Sequence, residues 1–280
     1  MVCAALPILF GLIFMMMPET PVFLLMKGRP ESSKHSLRRL LGKTYIDIEF
    51  DEIQKYVQRE IKIFSIKDIL RKRSVKKAFV IGVGLAFIKI LTGIDPITSY
   101  ASQIFDNTDT LMGTKLAAII FSTFPVFSII PQALIIDRWG RKILLIISQF
   151  AMAFCLLATG LSLCLKSENS NNVLDYIPFV SLCLFMVGFS VGIGPIGWII
   201  TAEIFEEKIK GRATSVCTFL VWFLAFGNVK LFGVVESAWD ISVPFFLYSC
   251  VSFIGAFFVL ILVPETKNKT FDEIEKALCM

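Results

Sequence analysis

Charge is scarce in this sequence. Asp, Glu, Lys and Arg make up 18% of the 280 residues, against about 25% in soluble globular domains, too few to cover an ordinary water-facing surface. Histidine is almost missing. The single His35 lies in a charged segment and reads as a solvated surface residue rather than a catalytic one. The seven cysteines, at positions 3, 155, 164, 183, 217, 250 and 279, show no paired spacing, so neither a disulfide framework nor a zinc site is expected. Five of them sit inside apolar runs, where free cysteine acts as a small hydrophobe. There is no nucleophile–base pair, metal cluster or phosphate loop, so the chain is not read as an enzyme and no cofactor is expected.

What is present instead is apolar. The hydrophobic set is 55% of the chain and includes 27 Phe, a surplus too large for one soluble core. The charges that remain are unevenly placed. Between Pro18 and Lys77 there are 15 Lys or Arg and 8 Asp or Glu, so this one segment is strongly basic while the chain as a whole is +5. The basic balance therefore belongs to a loop beside a membrane and does not point to nucleic acid.

A run of about 18 or more apolar residues crosses the ~30 Å hydrocarbon core as a helix. Candidate spans are 2–17, 78–100, 116–136, 143–165, 177–201, 213–235 and 243–263. The first covers only about 24 Å at 1.5 Å per residue, so Met1 is expected to begin partway through a span. Lys and Arg mark the cytoplasmic side. The 18–77 segment, Arg138, Arg141 and Lys142, then Lys208, Lys210 and Arg212, then Lys267, Lys269 and Lys276 all fall on one face, against Lys115, Lys166 and Lys230 on the other. That places the 18–77 loop and the C-terminus in the cytoplasm, with the plasma membrane as the expected location.

The loop carries helix signals. Pro30 suits a first turn ahead of Glu31–Leu41. Ile46, Ile48, Ile53, Tyr56 and Val57 give a rough apolar stripe, and Ser65-Ile66-Lys67-Asp68 reads as a capping box. Thr270 through Lys276 repeats that signature in the tail. The expected domains are 1–17, the end of a transmembrane helix; 18–77, a cytoplasmic amphipathic helical loop; 78–263, a six-helix transmembrane half; and 264–280, a cytoplasmic tail helix.

Two spans contain helix breakers. Gly93 and Asp95-Pro96 interrupt the second, and Gly194-Pro195, with Gly188, Gly192 and Gly197, the fifth. Interrupted helices in membranes expose backbone groups to a solute, so a binding cavity is expected between these two. Lys89 lies about 18 Å into its span from Lys77, where a charge must face water or a partner. Asp95 is six residues on, about 9 Å along and about 120° round a straight helix, so a pair would need the Gly93–Pro96 break.

The tripeptide Pro-Glu-Thr closes both the first span, at Pro18–Thr20, and the seventh, at Pro264–Thr266. Together with Glu19-Thr20-Pro21, Thr92-Gly93-Ile94-Asp95, Asp137-Arg138-Trp139-Gly140-Arg141-Lys142, Gly194-Pro195-Ile196-Gly197-Trp198, Ala202-Glu203-Ile204-Phe205 and Pro264-Glu265-Thr266-Lys267, the chain resembles the sugar porter family of the major facilitator superfamily. The likeness is to its insect trehalose and hexose facilitators. It implies an all-α membrane protein made of the family's C-terminal six-helix half, preceded by the end of the sixth helix and a cytoplasmic helical loop. The implied function is transport of a hexose or trehalose by alternating access, here truncated to that half, with a sugar, the lipid bilayer and a missing N-terminal half as partners.

The resemblance also implies residue roles. Lys89, Ile90, Asp95, Tyr100 and Trp198 fall at substrate-binding positions, Trp198 as an aromatic platform and Tyr100 as part of an outer gate. Gly93, Pro96, Gly194 and Pro195 are the helix breaks. Glu19, Asp137, Arg138, Gly140, Arg141, Glu203, Arg212 and Glu265 form a cytoplasmic gate in which arginines fork onto carboxylates.

The sugar-binding pattern itself is altered. Lys89 and Ile90 stand where the family usually has two Gln, Asp95 where it has Asn, Gly197 where it has Pro, and by counting, Pro125 and Val221 fall where it has Asn. Neutral amides both donate to and accept from sugar hydroxyls, and these replacements do not. A membrane protein that does not transport, such as a sensor, partner subunit or degenerate transporter, therefore stands as the alternative. A seven-span receptor fits less well, because of the 60-residue loop after the first span and the repeated Pro-Glu-Thr.

Overall fold

The computed structural model describes residues 2–41, 49–55, 72–106, 113–166, 176–205 and 207–279. The chain divides into two compact units, Met1–Asp68 and Ile69–Met280. Ile46, Ile48, Tyr56, Val57 and the Ser65–Asp68 capping signature lie outside the described residues.

In the first unit, α1 (Val2–Met15) is apolar along its length. Thr20 turns the chain in extended backbone so that Pro21, which lacks an N–H, starts α2 (Pro21–Met26). Pro30 likewise opens α3 (Pro30–Leu41). The buried face of α3 is partly polar. Ser33 Oγ donates to Pro21 O at 2.8 Å, and Ser36 Oγ donates to Glu19 O. These bonds tie the short α2 segment to α3 where burial alone is too small to do so. Leu37 and Phe50 form a small core with Leu25 and Ile53 against them. Residues 49–55 are helical.

The regular elements described in the second unit are helices: α4 (Arg73–Leu91), α5 (Ile94–Ser99), α6 (Ala101–Asp106), α7 (Thr114–Trp139), α8 (Arg141–Lys166), α9 (Ile177–Val191), α10 (Ile193–Ile204), α11 (Glu207–Ala238), α12 (Ser242–Leu262) and α13 (Phe271–Cys279). Helix α8 is the hub, packed most extensively on α12 and α9, while α11 and α10 pack on α4. Small and hydroxylated residues allow these close approaches. Ser249 Oγ on α12 donates to Ala153 O on α8 at 2.8 Å. The Thr159 and Ser181 hydroxyls, on α8 and α9, lie 2.7 Å apart. In a bilayer, such bonds and tight packing replace the hydrophobic drive that water supplies elsewhere. Phe105, Phe121 and Phe179 interlock edge to face at 5.6 Å between centroids, closing one end of the bundle.

The expected six-helix half is corrected by this architecture. Among the described residues, five stretches are long and apolar enough to cross a membrane: Arg73–Ser99, Arg141–Leu165, Ile177–Ile204, Ile209–Ala238 and Ser242–Leu262. The expected first span corresponds to α1, of 14 residues, and the expected third lies inside α7, of 26 residues, neither of which is among those five stretches. In total thirteen bounded helices are described. Part of this count comes from apolar runs that are divided, and part from the short helices of the 18–77 segment and the tail. Gly93 takes a left-handed backbone, φ 86°, between α4 and α5, and Gly192, at φ −107° and ψ −110°, separates α9 from α10. Hydropathy sees one run in each case, since composition does not change at a backbone bend.

The tail helix α13 is amphipathic. Thr270 N–H donates to Glu273 Oε2 at 2.9 Å, one half of a capping box. Its buried Ile274 and Leu278 join the main core, and Glu275 accepts a hydrogen bond from Ser74 Oγ at 3.1 Å.

Candidate functional site

The site is built on the two divided helices. At the end of α4, Thr92 Oγ1 donates back to Lys89 O at 2.8 Å. Gly93 then takes a left-handed backbone, which interrupts the helix. A β-carbon there would run into the ring of Tyr248, and the positive φ strains any L residue, so both constraints demand glycine. Pro96 is buried in the first turn of α5, where its lack of an N–H leaves no donor unsatisfied. On the facing side Gly192 leaves room for Ser148, whose side chain would collide with a β-carbon at that position. Gly194 and Pro195 follow in the first turn of α10.

Lys89 joins the two breaks. Its Nζ donates to Gly194 O at 3.0 Å and sits 4.5 Å from the centroid of the Trp198 ring, within range of a cation–π attraction. Lys89 and Asp95 make no salt bridge among the described residues. Asp95 Oδ2 is instead buried with no hydrogen-bond partner. Lys89 borders a cleft between α4, α10 and α11 that is lined also by Ala86, Trp198, Thr201 and Val221. Of the expected substrate residues, Lys89 and Trp198 line this cleft. Ile90 is buried beside it with Ala86, Val221 and Ala225. Pro125 lies on α7 and Asp95 on α5, and neither lines the cleft.

Sequence counting missed Asn228. It is two helical turns beyond Val221 on α11 and only 3% exposed. Its Nδ2 donates to Ile90 O at 2.7 Å, and its Oδ1 accepts from Tyr248 Oη at 3.1 Å. A buried amide within an apolar run was the available signal, since such a group must find partners. Tyr248, Phe232 and Tyr100 extend the cluster. Phe232 stacks on Tyr248 at 6.5 Å and tilts against Tyr100 at 5.1 Å. Tyr100 therefore sits on the aromatic support of the break, away from the Trp198 cleft.

At the other end of the bundle, Glu265 caps α8. Its Oε1 accepts the N–H of Arg141 at 3.0 Å and its Oε2 that of Lys142 at 3.1 Å. The N–H groups of Thr266 and Lys267 also donate to Oε1, each at 3.0 Å. A carboxylate is well placed there, because the first N–H groups of a helix have no internal partner and its N-terminus carries partial positive charge. Gly140 precedes the cap with φ 87°, and a β-carbon would stand 2.8 Å from Glu265 Oε2. Arg141 Nη2 pairs with Glu203 Oε1 at 3.6 Å, while Arg141 Nε and Glu203 Oε2 are buried without partners. The contact is thus a single-pronged ion pair rather than a fork.

Arg138 is exposed and contributes its backbone, Lys267 Nζ donating to Arg138 O at 2.7 Å. Arg212 is exposed on α11, and Glu19 is exposed in the first unit. The Asp137 side chain lies outside the described residues.

Two broken, facing helices in a membrane bundle, with a cleft at their junction and a charged cluster at one end, define a multi-pass membrane protein of the transporter class. The model of the family described as "Sugar (and other) transporter" matches residues 1–278, and the chain belongs to that family. It stands with transporters, not enzymes. The chain is 32% identical over 280 residues to the facilitated trehalose transporter Tret1 of Anopheles gambiae, covering 98% of this chain and 35% of the relative. It is 34% identical over 277 residues to Tret1 of Apis mellifera ligustica, covering 98% and 55%. Among solved structures, the partially occluded inward-open xylose transporter XylE from E. coli matches with TM-score 0.73 and 23% identity, over 94% of this chain and 53% of that one. The proton:xylose symporter XylE bound to 6-bromo-6-deoxy-D-glucose matches at 0.69 and 24%, over 97% and 56%. These structures share the fold.

The chain spans about a third to just over half the length of these relatives. The expected truncation to a C-terminal half and the missing N-terminal half as a partner are nevertheless withdrawn. The family model runs through residues 1–278 as one match, and among the described residues five stretches, not six, are long and apolar enough to cross a membrane.

Proposed function

We propose that this chain moves a small solute of the sugar class across a membrane by alternating access, with the cleft between α4, α10 and α11 as a wall of the solute site. The observation that carries the reading is the bond from Lys89 to Gly194 O. It connects two helix breaks, so a solute at Trp198 contacts both divided helices at once. Movement of either segment then changes the site, which is what alternating access requires. Glu265, Arg141 and Glu203 supply a contact cluster at the opposite end that can part and re-form as the bundle rocks.

The relatives named for trehalose suggest trehalose or a hexose as the first solutes to test. The excess of Lys and Arg on the side of Glu203 and Glu265 supports a cytoplasmic position for that end and for the 18–77 loop. The plasma membrane is the proposed location. The test is uptake of labelled glucose and trehalose into proteoliposomes holding the full chain, compared with empty liposomes and with Trp198→Ala. Uptake that the Trp198 variant abolishes supports the reading, and uptake no faster than in empty liposomes overturns it.

A further inference from the structure

We infer that the cleft takes a sugar bearing a carboxylate rather than a neutral one, with Lys89 as the residue that selects for it. The inference rests on the reading of this cleft as the solute site. Lys89 is the one charged side chain among the described residues that line the cleft. It has three N–H donors. One is used by Gly194 O, and the ring of Trp198 covers part of the ammonium surface at 4.5 Å. A carbonyl dipole and an aromatic face stabilise the cation but do not neutralise it.

The neighbouring acid acts on the ammonium only through space, with no salt bridge between the two among the described residues. Asp95 is outside the cleft lining, with a buried oxygen that has no partner. A charge in a low-dielectric cleft is held best by an opposite charge with hydrogen bonding. A carboxylate arriving with the solute supplies both, through the N–H donors that Gly194 does not use.

The remaining walls discriminate in the same direction. Ala86 and Val221 offer a hydroxyl nothing to bond, and the hydroxyl of Thr201 already donates to Gly197 O at 2.7 Å, leaving it as an acceptor. The amide of Asn228 is occupied by Ile90 O and Tyr248. A neutral hexose entering here would find the Thr201 acceptor and the remaining Lys89 donors but would bring no charge to neutralise the ammonium. A hexuronate replaces one hydroxymethyl with the group that Lys89 needs, while its ring faces Trp198.

The test uses a matched pair of probes, D-glucuronate and D-glucose, which differ in that one group. Equilibrium binding of each labelled probe is measured on the full chain in nanodiscs of uncharged phosphatidylcholine, with Lys89→Gln, Lys89→Met and Lys89→Arg beside the original chain. Thermal melting in the same discs shows which variants are folded. The expected result is that the original chain binds glucuronate about tenfold or more tighter than glucose, that Lys89→Gln or Lys89→Met removes this margin, and that Lys89→Arg keeps it.

Equal or tighter binding of glucose overturns the inference and leaves the solute-site reading standing. A glucuronate preference that survives in both Lys89→Gln and Lys89→Met overturns the assignment to Lys89. If the original chain binds neither probe but Lys89→Gln binds glucose, the ammonium itself fills the solute's place and the inference is overturned. Binding of neither probe by any folded variant overturns this inference together with the solute-site reading.

Discussion

The ammonium of Lys89, on one broken helix, is bonded at 3.0 Å to the carbonyl of Gly194 on the other. This bond joins residues 105 apart in the chain, each close to a backbone irregularity, at Gly93 and at Gly192. It stabilises the lysine at a depth where charge is otherwise unfavourable, and it makes the geometry of each break depend on the other.

Gly93 tolerates no side chain. Gly93→Ala places a β-carbon against the Tyr248 ring in a left-handed backbone, and the left-handed conformation alone costs an L residue about 1–2 kcal/mol. The expected outcome is a melting temperature several degrees lower in detergent, with further loss in Gly93→Val. Melting of Gly93→Ala equal to the original chain would show that the Tyr248 ring moves aside freely.

Asn228 is expected to hold the break closed. Asn228→Leu leaves Tyr248 Oη without its acceptor and removes one of the donors to Ile90 O, a loss of about 1–3 kcal/mol for buried groups left unpaired. Tyr248→Phe combined with Asn228→Leu should be less harmful than the two single effects summed, because it removes both ends of one bond. Additive melting shifts would contradict the coupling.

The Glu265 cap predicts a graded series. Glu265→Ala should lower stability by about 0.5–2 kcal/mol, as loss of a helix N-cap does, and Glu265→Gln by less, since its amide oxygen still accepts an N–H. Hydrogen exchange at the Arg141 and Lys142 amides reads the effect locally. Unchanged protection there in Glu265→Ala would remove the capping role.

Arg141 and Glu203 form a partly exposed, single-pronged pair at 3.6 Å. A double-mutant cycle with Arg141→Gln and Glu203→Gln should therefore give a coupling of only about 0.2–1 kcal/mol. Arg141→Lys should retain much of it, because no second prong is lost. A coupling well above that range would indicate a forked geometry in solution.

The tail helix should detach when its apolar face is charged. Ile274→Asp puts a carboxylate into the core that Ile274 and Leu278 enter, and limited proteolysis should then cut within 264–280 faster than in the original chain. Equal cutting rates would mean the tail is not held by this face.

Much of this was legible in the residues. The apolar runs located the α4–α5, α8, α9–α10, α11 and α12 stretches because a bilayer demands length and hydrophobicity, both of which are readable one residue at a time. Of the expected breakers, Gly93 stands at the division between α4 and α5, whereas Pro96 lies inside α5, Gly194 and Pro195 lie inside α10, and the second division falls at Gly192. The expected gate was harder to place. Arg138 and Glu265 were expected in side-chain ion pairs, yet Arg138 presents its carbonyl and Glu265 takes backbone N–H groups. Residue type does not reveal which donor a carboxylate will meet.

By itself, the sequence determined a membrane-spanning all-α chain, the side on which positive charge gathers, and the family. Each of these depends on composition, order and short motifs. Only the tertiary structure decided that the apolar runs divide at Gly93 and Gly192, that Lys89 bonds to Gly194 and lies over Trp198 and makes no salt bridge with Asp95 among the described residues, and that Asn228 is the amide bonded at the break. Those outcomes depend on rotation about helix axes and on contacts between residues far apart in the chain. A shift of one residue turns a side chain by about 100° around a helix, and a linear reading does not resolve that angle.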